Sequence, residues 1–275
     1  MTRILQLLLL SAFVFGSTAT LSAQQAAGSG DDGLEVFNSS SKKDDDKQEV
    51  RLDKEFSVGG KITSTGWSFF ADYTKFVTTT RKRVLMFEIM ELKHPKQVKQ
   101  SNDITFGGWG LESPKAYVFG KQNNFYAMHF GYGARYRLGD KAKKSGVEVN
   151  LTWAAGPSLG ITKPYYLNLI EPGDGFVTIV AQKYDPEDPD KFLQRSNIYG
   201  ASGFSYGLGE LGFIPGGFGK VGVNFDWASY SEFIKSLEAG VGADVYARQV
   251  PLMIVEQNRL HFVYLYLSLQ LGKRW

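Results

Sequence analysis

The sequence predicts an all-β protein in which residues 55–275 close into an antiparallel transmembrane β-barrel of about eight to ten strands. Three observations carry this prediction: an export signal at the start, short segments of alternating polarity from residue 55 onward, and the absence of a long apolar run after the signal. A membrane-spanning helix needs about 18 or more apolar residues in a row. A closed barrel is the other way to cross hydrocarbon, because closure pairs every backbone N–H and C=O group.

The first residues predict a secretory signal peptide over 1–23. Arg3 precedes an apolar run that ends at Gly16, and small residues at Ser22 and Ala23 favour cleavage before Gln24. Cleavage after Ala19 stays open as an alternative. The next segment, 24–54, is polar and charged, which is typical of a disordered periplasmic tail without a core of its own.

Composition excludes several classes of site. The chain contains no cysteine, so it forms neither disulfides nor a lipid-modified cysteine anchor. Lys and Arg total 31 against 28 Asp and Glu, and this balance argues against a nucleic-acid partner, which requires a concentrated basic face. The 31 glycines and the 14% aromatic content are typical of twisted strands and of the aromatic girdles of membrane barrels.

The last strand gives the clearest pattern. Between 263 and 272, Val and Leu alternate with polar or aromatic residues, so that one face is entirely aliphatic. A period of two with one apolar face predicts a lipid-facing strand. We predict that this ending also serves as the assembly signal read by the barrel assembly machinery during insertion; its residues are Leu267, Leu269, Leu271 and Trp275.

Upstream segments repeat the alternation and give about ten strands. Eight strands is the alternative if 175–184 and one neighbour belong to a loop. Long connections near 93–113 and 185–212 are expected to face outward, and the short ones at 122–124 and 230–232 to face the periplasm. The segment 207–217 interrupts the pattern and predicts a short helix or an inward-folded loop that partly plugs the barrel. The predicted strands are 55–63, 67–77, 83–92, 114–121, 125–138, 147–153, 175–184, 220–227, 237–246 and 263–272.

The inward face of these strands collects charges of both signs. In a barrel of eight to ten strands side chains fill the interior, and charges taken from water persist there only when paired. The same residues would line an ion path or a polar ligand site if the lumen held water. The predicted lumen network comprises Asp72, Glu88, Arg135, Arg137, Glu148, Lys220, Asp226, Glu238, Asp244 and Arg248, with Lys61 on the same face.

The sequence offers no catalytic, cofactor or metal site. His94, His129 and His261 are too scattered to predict a metal centre, although His129 faces inward and could approach Glu148. A His-x-Ser arrangement of the kind used by outer-membrane lipid hydrolases does not occur. The glycine-rich stretches lack the Lys-Ser/Thr of a phosphate loop. We therefore predict a protein that is not an enzyme and binds no cofactor.

Four short segments can be compared with a known family: 92–96 (LKHPK), 117–124 (YVFGKQNN), 158–166 (SLGITKPYY) and 271–275 (LGKRW). Together they resemble an outer-membrane β-barrel family of Bacteroidota to which no biochemical activity has been assigned. The resemblance covers roughly residues 55–275 and implies a barrel in the cell outer membrane. It transfers no catalytic residue to this chain.

These inferences lead to a first hypothesis and an alternative. The first is a non-enzymatic envelope component that contacts outer-membrane lipid and joins an envelope protein complex, in secretion or surface assembly. The alternative is a small pore or ligand carrier with a charged lumen. A lipid hydrolase is the least favoured function.

Overall fold

The computed structural model describes residues 53–101, 114–139, 146–172, 177–227 and 232–275. The predicted signal peptide and all but the last two residues of the predicted tail lie outside these ranges. The described residues form mainly strands. In chain order the strands are β1 (Lys54–Thr63), β2 (Gly66–Phe76), β3 (Arg81–Leu92), β4 (Lys99–Gln100), β5 (Tyr117–Val118), β6 (Asn123–Gly139), β7 (Glu148–Pro164), β8 (Tyr166–Pro172), β9 (Val177–Lys183), β10 (Ile198–Ala201), β11 (Gly212–Asp226), β12 (Phe233–Val250) and β13 (Arg259–Arg274).

Eight of the strands close an antiparallel barrel in the order β1-β13-β12-β11-β7-β6-β3-β2. The first and last strands pair continuously from Glu55 opposite Arg274 to Thr63 opposite Tyr266. At the rim, Lys54 and Trp275 exchange backbone hydrogen bonds of 3.0 Å in both directions. Because this seam joins the two ends of the sheet, the barrel has no free edge strand.

The eight-strand alternative is the one the structure shows, and the estimate of ten is wrong. Of the predicted strands, 114–121 contributes only the two residues of β5, and 175–184 becomes β9 in a separate sheet with β8 and β10. At seven residues, β9 is shorter than the 9 to 11 residues that a tilted transmembrane strand requires.

The connections at the two ends of the barrel differ in length. At the end that holds Lys54 and Trp275, strands are joined across 77–80, 140–147 and 227–232. At the opposite end, the connections 93–122 and 165–211 are long. The connection between β11 and β12, to which the predicted turn at 230–232 belongs, therefore joins strands at the end that holds Lys54 and Trp275, although only residue 232 of that turn is among the described residues. The described parts of the long connections lie opposite, as expected. The predicted turn at 122–124 is misplaced, since it lies at the long-loop end where β6 begins.

The described parts of the long connections form a cap at this end. Strands β8, β9 and β10 form its sheet, and a short helix α1 (Pro189–Leu193) and a 3-10 turn (Arg195–Asn197) lie between β9 and β10. The cap has its own core, to which β5 and the β12–β13 connection contribute. The buried core residues are Tyr117, Leu167, Leu169, Phe192 and Ile198, and Ile254 packs against them.

An apolar plug closes the long-loop end of the barrel interior. The connection 251–258 turns inward, where the Leu252 carbonyl accepts a hydrogen bond from Gln122 N (2.9 Å) and the Gly120 carbonyl accepts one from Ile254 N (2.8 Å). Leu252 and Met253 thereby pack among inward-facing residues of the strands. The plug consists of Met90, Leu92, Val118, Phe125, Ala127, Ile214, Tyr246, Val250, Leu252, Met253, Phe262, Tyr264 and Tyr266.

The segment predicted to plug the barrel is a different one, and that prediction is wrong. Leu211 and Phe213 are 37% and 57% exposed, and β11 already begins at Gly212. The alternation fails over 203–211 because this turn lies on the outside of the cap. The segment that does turn into the barrel, 251–254, has too few apolar residues to show a periodic pattern in the sequence.

The outer wall is apolar between the strand ends. Ile62, Phe69 and Leu265 are each at least 64% exposed although all are large hydrophobic residues. No helix in the described part of the chain has the length and apolar character needed to cross a membrane. The wall follows from the alternation of the strands, whose outward positions between the strand ends are mainly aliphatic and aromatic.

Two facing glycines allow one close approach inside the barrel. Gly222 on β11 lies opposite Gly240 on β12, and the Tyr266 hydroxyl fits against both. A methyl group added to Gly240 would lie 2.7 Å from that hydroxyl oxygen and would also clash with the Val221 carbonyl. By contrast, Gly219 has open space where a methyl group would be placed.

We therefore expect Gly240→Ala to lower the free energy of unfolding by about 1–3 kcal/mol, the usual range for overpacking in a close-packed interior. Gly219→Ala on the neighbouring strand is the matched control and should leave it within about 0.5 kcal/mol. Urea titration of the barrel in detergent micelles, followed by tryptophan fluorescence, measures both. Equal stability of the two variants would contradict the proposed close approach.

Candidate functional site

The lumen below the plug is lined by charged side chains of both signs. Every second residue of each barrel strand points inward, so that charges dispersed in sequence meet in space. Nearly all of them are less than a tenth exposed. The inward ionisable residues are Glu55, Lys61, Asp72, Lys82, Glu88, His129, Arg135, Arg137, Glu148, Lys220, Asp226, Glu238, Asp244 and Arg274.

One cluster lies at the end of the barrel that holds the termini. Glu55 accepts hydrogen bonds from Arg274 Nε (2.7 Å) and Lys82 Nζ (3.0 Å) on the strands β13 and β3. Arg274 also pairs with Asp226 on β11, and Lys82 lies 3.9 Å from Glu148 on β7. The cluster therefore connects the β1–β13 seam to the opposite wall of the barrel.

A second cluster lies beneath the plug. Lys61 Nζ is 2.7 Å from Glu88 Oε1, and these side chains are 1% and 0% exposed. His129 lies between two carboxylates, with Nδ1 3.6 Å from Glu88 and Nε2 3.3 Å from Asp244. The imidazole stacks on Phe218, with the ring centroids 4.2 Å apart. With carboxylates on both sides and no exposure, His129 is placed as a fixed partner of these acids.

Glu238 organises the middle of the lumen. It accepts hydrogen bonds from the Tyr266 hydroxyl (2.8 Å) and from Lys220 Nζ (3.3 Å). Arg135 Nη2 lies 3.9 Å from Glu238 and 4.0 Å from Asp72, which places it between the two acids. Gln270 Nε2 donates to Asp72 (3.1 Å) and thereby ties this layer to β13.

The structure places every residue of the predicted lumen network inside the barrel except Arg248. Arg137 lies near the end of the lumen, where its side chain is 21% exposed and its Nη2 atom is 3.2 Å from Glu148 Oε2. Arg248 is exposed, and its placement in the lumen is a wrong prediction. The physical reason is a register shift between Val245 and Val250, where β12 and β13 lose their one-to-one pairing and three consecutive residues face solvent.

The sequence pattern did not identify Glu55, Lys82 and Arg274 as members of the ionic network. Glu55 is the first residue of the predicted strand 55–63, and Arg274 lies beyond the end of the predicted strand 263–272. Lys82 lies in a basic run on β3, which hides the residue that points inward. The polarity of the next residues would have resolved this, because inward Lys82 is in phase with Glu88 on the same strand.

The prediction for His129 is correct in part. The imidazole faces inward as expected, and it is fully buried there. Its acidic neighbours, however, are Glu88 and Asp244, and not Glu148. The difference arises from position along the strands, because the residue opposite His129 on β7 is Ser158 and Glu148 lies at the other end of that strand. Glu88 lies directly opposite His129 on β3, and Asp244 on β12 reaches it across the lumen.

The predicted assembly residues lie on the outer wall. Leu267, Leu269 and Leu271 are 49%, 55% and 51% exposed, and Trp275 lies at the rim beside Lys54. This arrangement presents an aliphatic face next to the barrel seam. Their recognition by an assembly machinery stays a prediction.

Two basic residues of the loops are held in unusual surroundings. Burial lowers the pKa of the Lys121 ammonium to about 8, and the carboxylate of Glu91 only partly opposes this. Burial also lowers the pKa of the His94 imidazole, and the Arg259 guanidinium lowers it further. Among the described residues, no group of three or more His, Cys, Asp or Glu side chains is placed to hold a metal ion.

Comparisons with known proteins show a similar path of the backbone and nothing more. No family model and no curated protein matches the sequence. Among solved structures, Ail of Yersinia pestis is 9% identical with a TM-score of 0.37, covering 81% of this chain and 98% of its own. Neisserial surface protein A is 9% identical with a TM-score of 0.37, covering 81% of this chain and 95% of its own. A major outer membrane protein from Thermus thermophilus is 12% identical with a TM-score of 0.38, covering 81% of this chain and 99% of its own. The resemblance to a Bacteroidota family stays a prediction.

We expect Arg274→Met to lower the free energy of unfolding by about 3–5 kcal/mol, because it leaves Glu55 and Asp226 buried with a cation removed. Lys273→Met is the matched control: it changes the adjacent residue, which points outward and is 62% exposed. An exposed pair contributes about 0–1 kcal/mol. The measurement is equilibrium unfolding of both variants in the same micelles.

If the two variants lose the same stability, the buried cluster does not hold the seam. The double variant Lys61→Met with Glu88→Met gives a further check. Removing both members of this pair should cost less than Lys61→Met alone, since Glu88 is then not left without its nearest cation and His129 keeps Asp244 as a partner.

Proposed function

We propose that this protein is an integral outer-membrane barrel that acts as a non-enzymatic, complex-forming component of the cell envelope. The observation that carries the proposal is the closed interior. Ion pairs fill the lumen of the described barrel, and the apolar plug covers its long-loop end. A lumen packed in this way favours a protein that presents its cap and its outer wall to partners.

The outer wall supports a membrane location. Between Val263 and Leu271, the outward residues of β13 are aliphatic without exception. Exposed cations lie at the strand ends, such as Lys75 and Arg83 toward the termini and Arg259 toward the cap. An apolar belt bounded by polar ends is what a bilayer requires of a strand barrel. The short turns beside the termini favour a periplasmic position for that end.

The cap supports a role in protein contacts. Val98 and Val255 are each 64% exposed, on loops that an ion pair of 2.7 Å between Lys96 and Glu256 holds together. Large exposed apolar residues on an ordered surface favour recognition by another protein. We therefore place the partner surface on these two loops.

A pore is the second candidate, and a specific observation favours it. Buried polar atoms of Thr74, Asn150 and Thr152 have no hydrogen-bond partner among the described residues, and all three face the lumen near the end that holds the termini. Buried polar groups normally find a partner in protein or in water. Water in this half of the lumen would satisfy them, but passage to the cap would require the plug to move.

The experiment that tests the proposal is a mild-detergent extraction of the outer-membrane fraction, with capture on a tag placed behind the predicted signal peptide. We expect a partner recovered in near-stoichiometric amount and lost from the double variant Val98→Asp with Val255→Asp, because charge on the apolar loops prevents docking. Ser196→Asp, an exposed polar site on the same cap, is the control. Quantitative mass spectrometry measures recovery. A barrel recovered alone, or from the soluble fraction, would contradict the proposal.

In planar bilayers, we expect the purified barrel to show no steady conductance, since the lumen is filled and plugged. Glu238→Ala should lower folding yield and leave no channel of altered selectivity, because it removes the acceptor for Lys220 and Tyr266. The measurement is single-channel recording together with the fraction of folded protein on a gel. Conductance whose ion selectivity changes in Glu238→Ala would establish the pore instead.

A further inference from the structure

A small cavity of about 200 Å³ opens on the outer wall where the barrel meets the cap. We name it the rim pocket. Its floor is formed by the long-loop ends of β6 and β7, and the turn 202–206 forms its roof. The lining residues are Asn124, Tyr126, Lys163, Pro164, Tyr165, Tyr166, Ser202, Gly203, Phe204 and Tyr206.

Lys163 in this pocket is buried against the expectation from its strand. Thr162 points into the barrel and Ile161 points outward, so the alternation places Lys163 on the outer wall. It is nevertheless only 3% exposed. The cover is the single turn that carries Phe204, whose carbonyl accepts a hydrogen bond from Lys163 Nζ. One turn of backbone therefore separates this ammonium group from solvent.

The charge of Lys163 has no acidic partner. Its Nζ contacts the Phe204 carbonyl and lies 4.0 Å from the centre of the Phe204 ring. Within the described residues, no carboxylate lies within 4.0 Å of it, in contrast to Lys61 and Lys82 in the lumen. An ammonium group has three donors, and one carbonyl satisfies one of them. A buried cation left in this state favours an anionic ligand.

Half of the lining residues of the rim pocket are aromatic. Tyr166 and Tyr206 lie with their ring centroids 5.7 Å apart, and Tyr126 and Phe204 complete the wall. Flat aromatic faces surrounding a few polar groups are suited to a compact ring with apolar faces and polar edges. A pyranose sugar has this character, and a cavity of about 200 Å³ is of the size of one such ring.

The rings are held in place from behind. The Tyr166 hydroxyl donates to Glu210 (3.0 Å), which also pairs with Lys183 at 2.6 Å. The Tyr165 hydroxyl accepts a hydrogen bond from Val118 N (3.2 Å). These contacts fix the orientation of two tyrosines without using groups that face the cavity. The amide of Asn124 lines the cavity and can hydrogen-bond a sugar hydroxyl.

We infer that the rim pocket binds a single sugar ring that carries an anionic group, phosphate or carboxylate, with the anion on Lys163 and the ring against the tyrosines. The inference goes beyond the proposed function, because it requires neither a closed lumen nor a protein partner. The pocket lies directly above the outward apolar residues Met128 and Leu159. Two sources fit this position: the head group of a glycolipid in the same membrane, and a soluble saccharide.

The test uses the purified full chain in detergent micelles with glucose 1-phosphate, glucuronate and glucose as probes. Isothermal titration measures affinity, and saturation-transfer NMR measures contact with the sugar protons. We expect both anionic sugars to bind, glucose to bind at least tenfold more weakly, and Lys163→Met to lose at least tenfold in affinity. Lys75→Met, which changes an exposed lysine on β2 at the opposite end of the barrel, is the control and should bind as the unmodified protein does.

Tyr206→Ala separates a sugar site from a simple anion site and does not alter a buried residue, since Tyr206 is 50% exposed. We expect it to weaken glucose 1-phosphate binding and to reduce the transfer to ring protons. Inorganic phosphate bound as tightly as glucose 1-phosphate, with no effect of Tyr206→Ala, would overturn the sugar assignment.

The source of the sugar is distinguished by a second arm with mixed micelles that contain purified lipopolysaccharide, intact or enzymatically dephosphorylated. Binding of the intact glycolipid that depends on Lys163 and falls on dephosphorylation would identify a membrane head group. Binding of the free sugars alone would identify a soluble saccharide. If neither the free sugars nor the glycolipid binds, or if Lys163→Met binds them unchanged, the inference is wrong.

Discussion

The narrowness of an eight-stranded barrel is the constraint on which the rest of the structure depends. At this size the interior has room for side chains and little else, so each inward charge leaves bulk water on folding. The alternation of a strand then dictates which residues must find partners. Glu238 contacts Lys220 and Tyr266 from different strands, and Arg274 spans from Glu55 to Asp226. Such pairs between strands fix the strand register as well as the charge balance, because a slip of one residue would turn every pair outward.

The same constraint divides the barrel interior into two layers. Where the strands meet the long connections, the inward residues become apolar and the 251–258 connection supplies Leu252 and Met253 to the gap. An ionic layer alone would leave the cap end open to water, and an apolar layer alone would not specify register. Placing the apolar plug next to the cap gives the loops a firm base, on which Tyr117 and Ile254 continue the core outward.

The sequence predicted the fold class and most inward residues because both depend on a local period of two. Asp72, Glu88, Glu148 and Asp244 could be assigned inward from their nearest neighbours alone. The failures lie where the period breaks or where partners come from distant strands. At Arg248 a register shift sends three residues outward in succession, which no short-range pattern shows. The predicted number of ten strands was wrong for a related reason. β9 has the composition of a barrel strand, and only its pairing with β8 reveals that it belongs to the cap.

Lys163 gains its significance from this comparison. Within the described lumen, Lys61, Lys82 and Lys220 each lie within 4 Å of a carboxylate, as burial requires. Lys163 is as inaccessible as these residues but lies on the outer wall, under a single turn, with a carbonyl and an aromatic ring as its neighbours. The pairing of buried lysines with carboxylates, which holds in the described lumen, therefore fails at Lys163, and Lys163 borders a cavity. A buried cation that the protein itself does not neutralise is most simply explained by an anionic ligand that binds from outside. Ligand binding then belongs to the rim of the barrel, whereas the ion pairs of the lumen stabilise the fold.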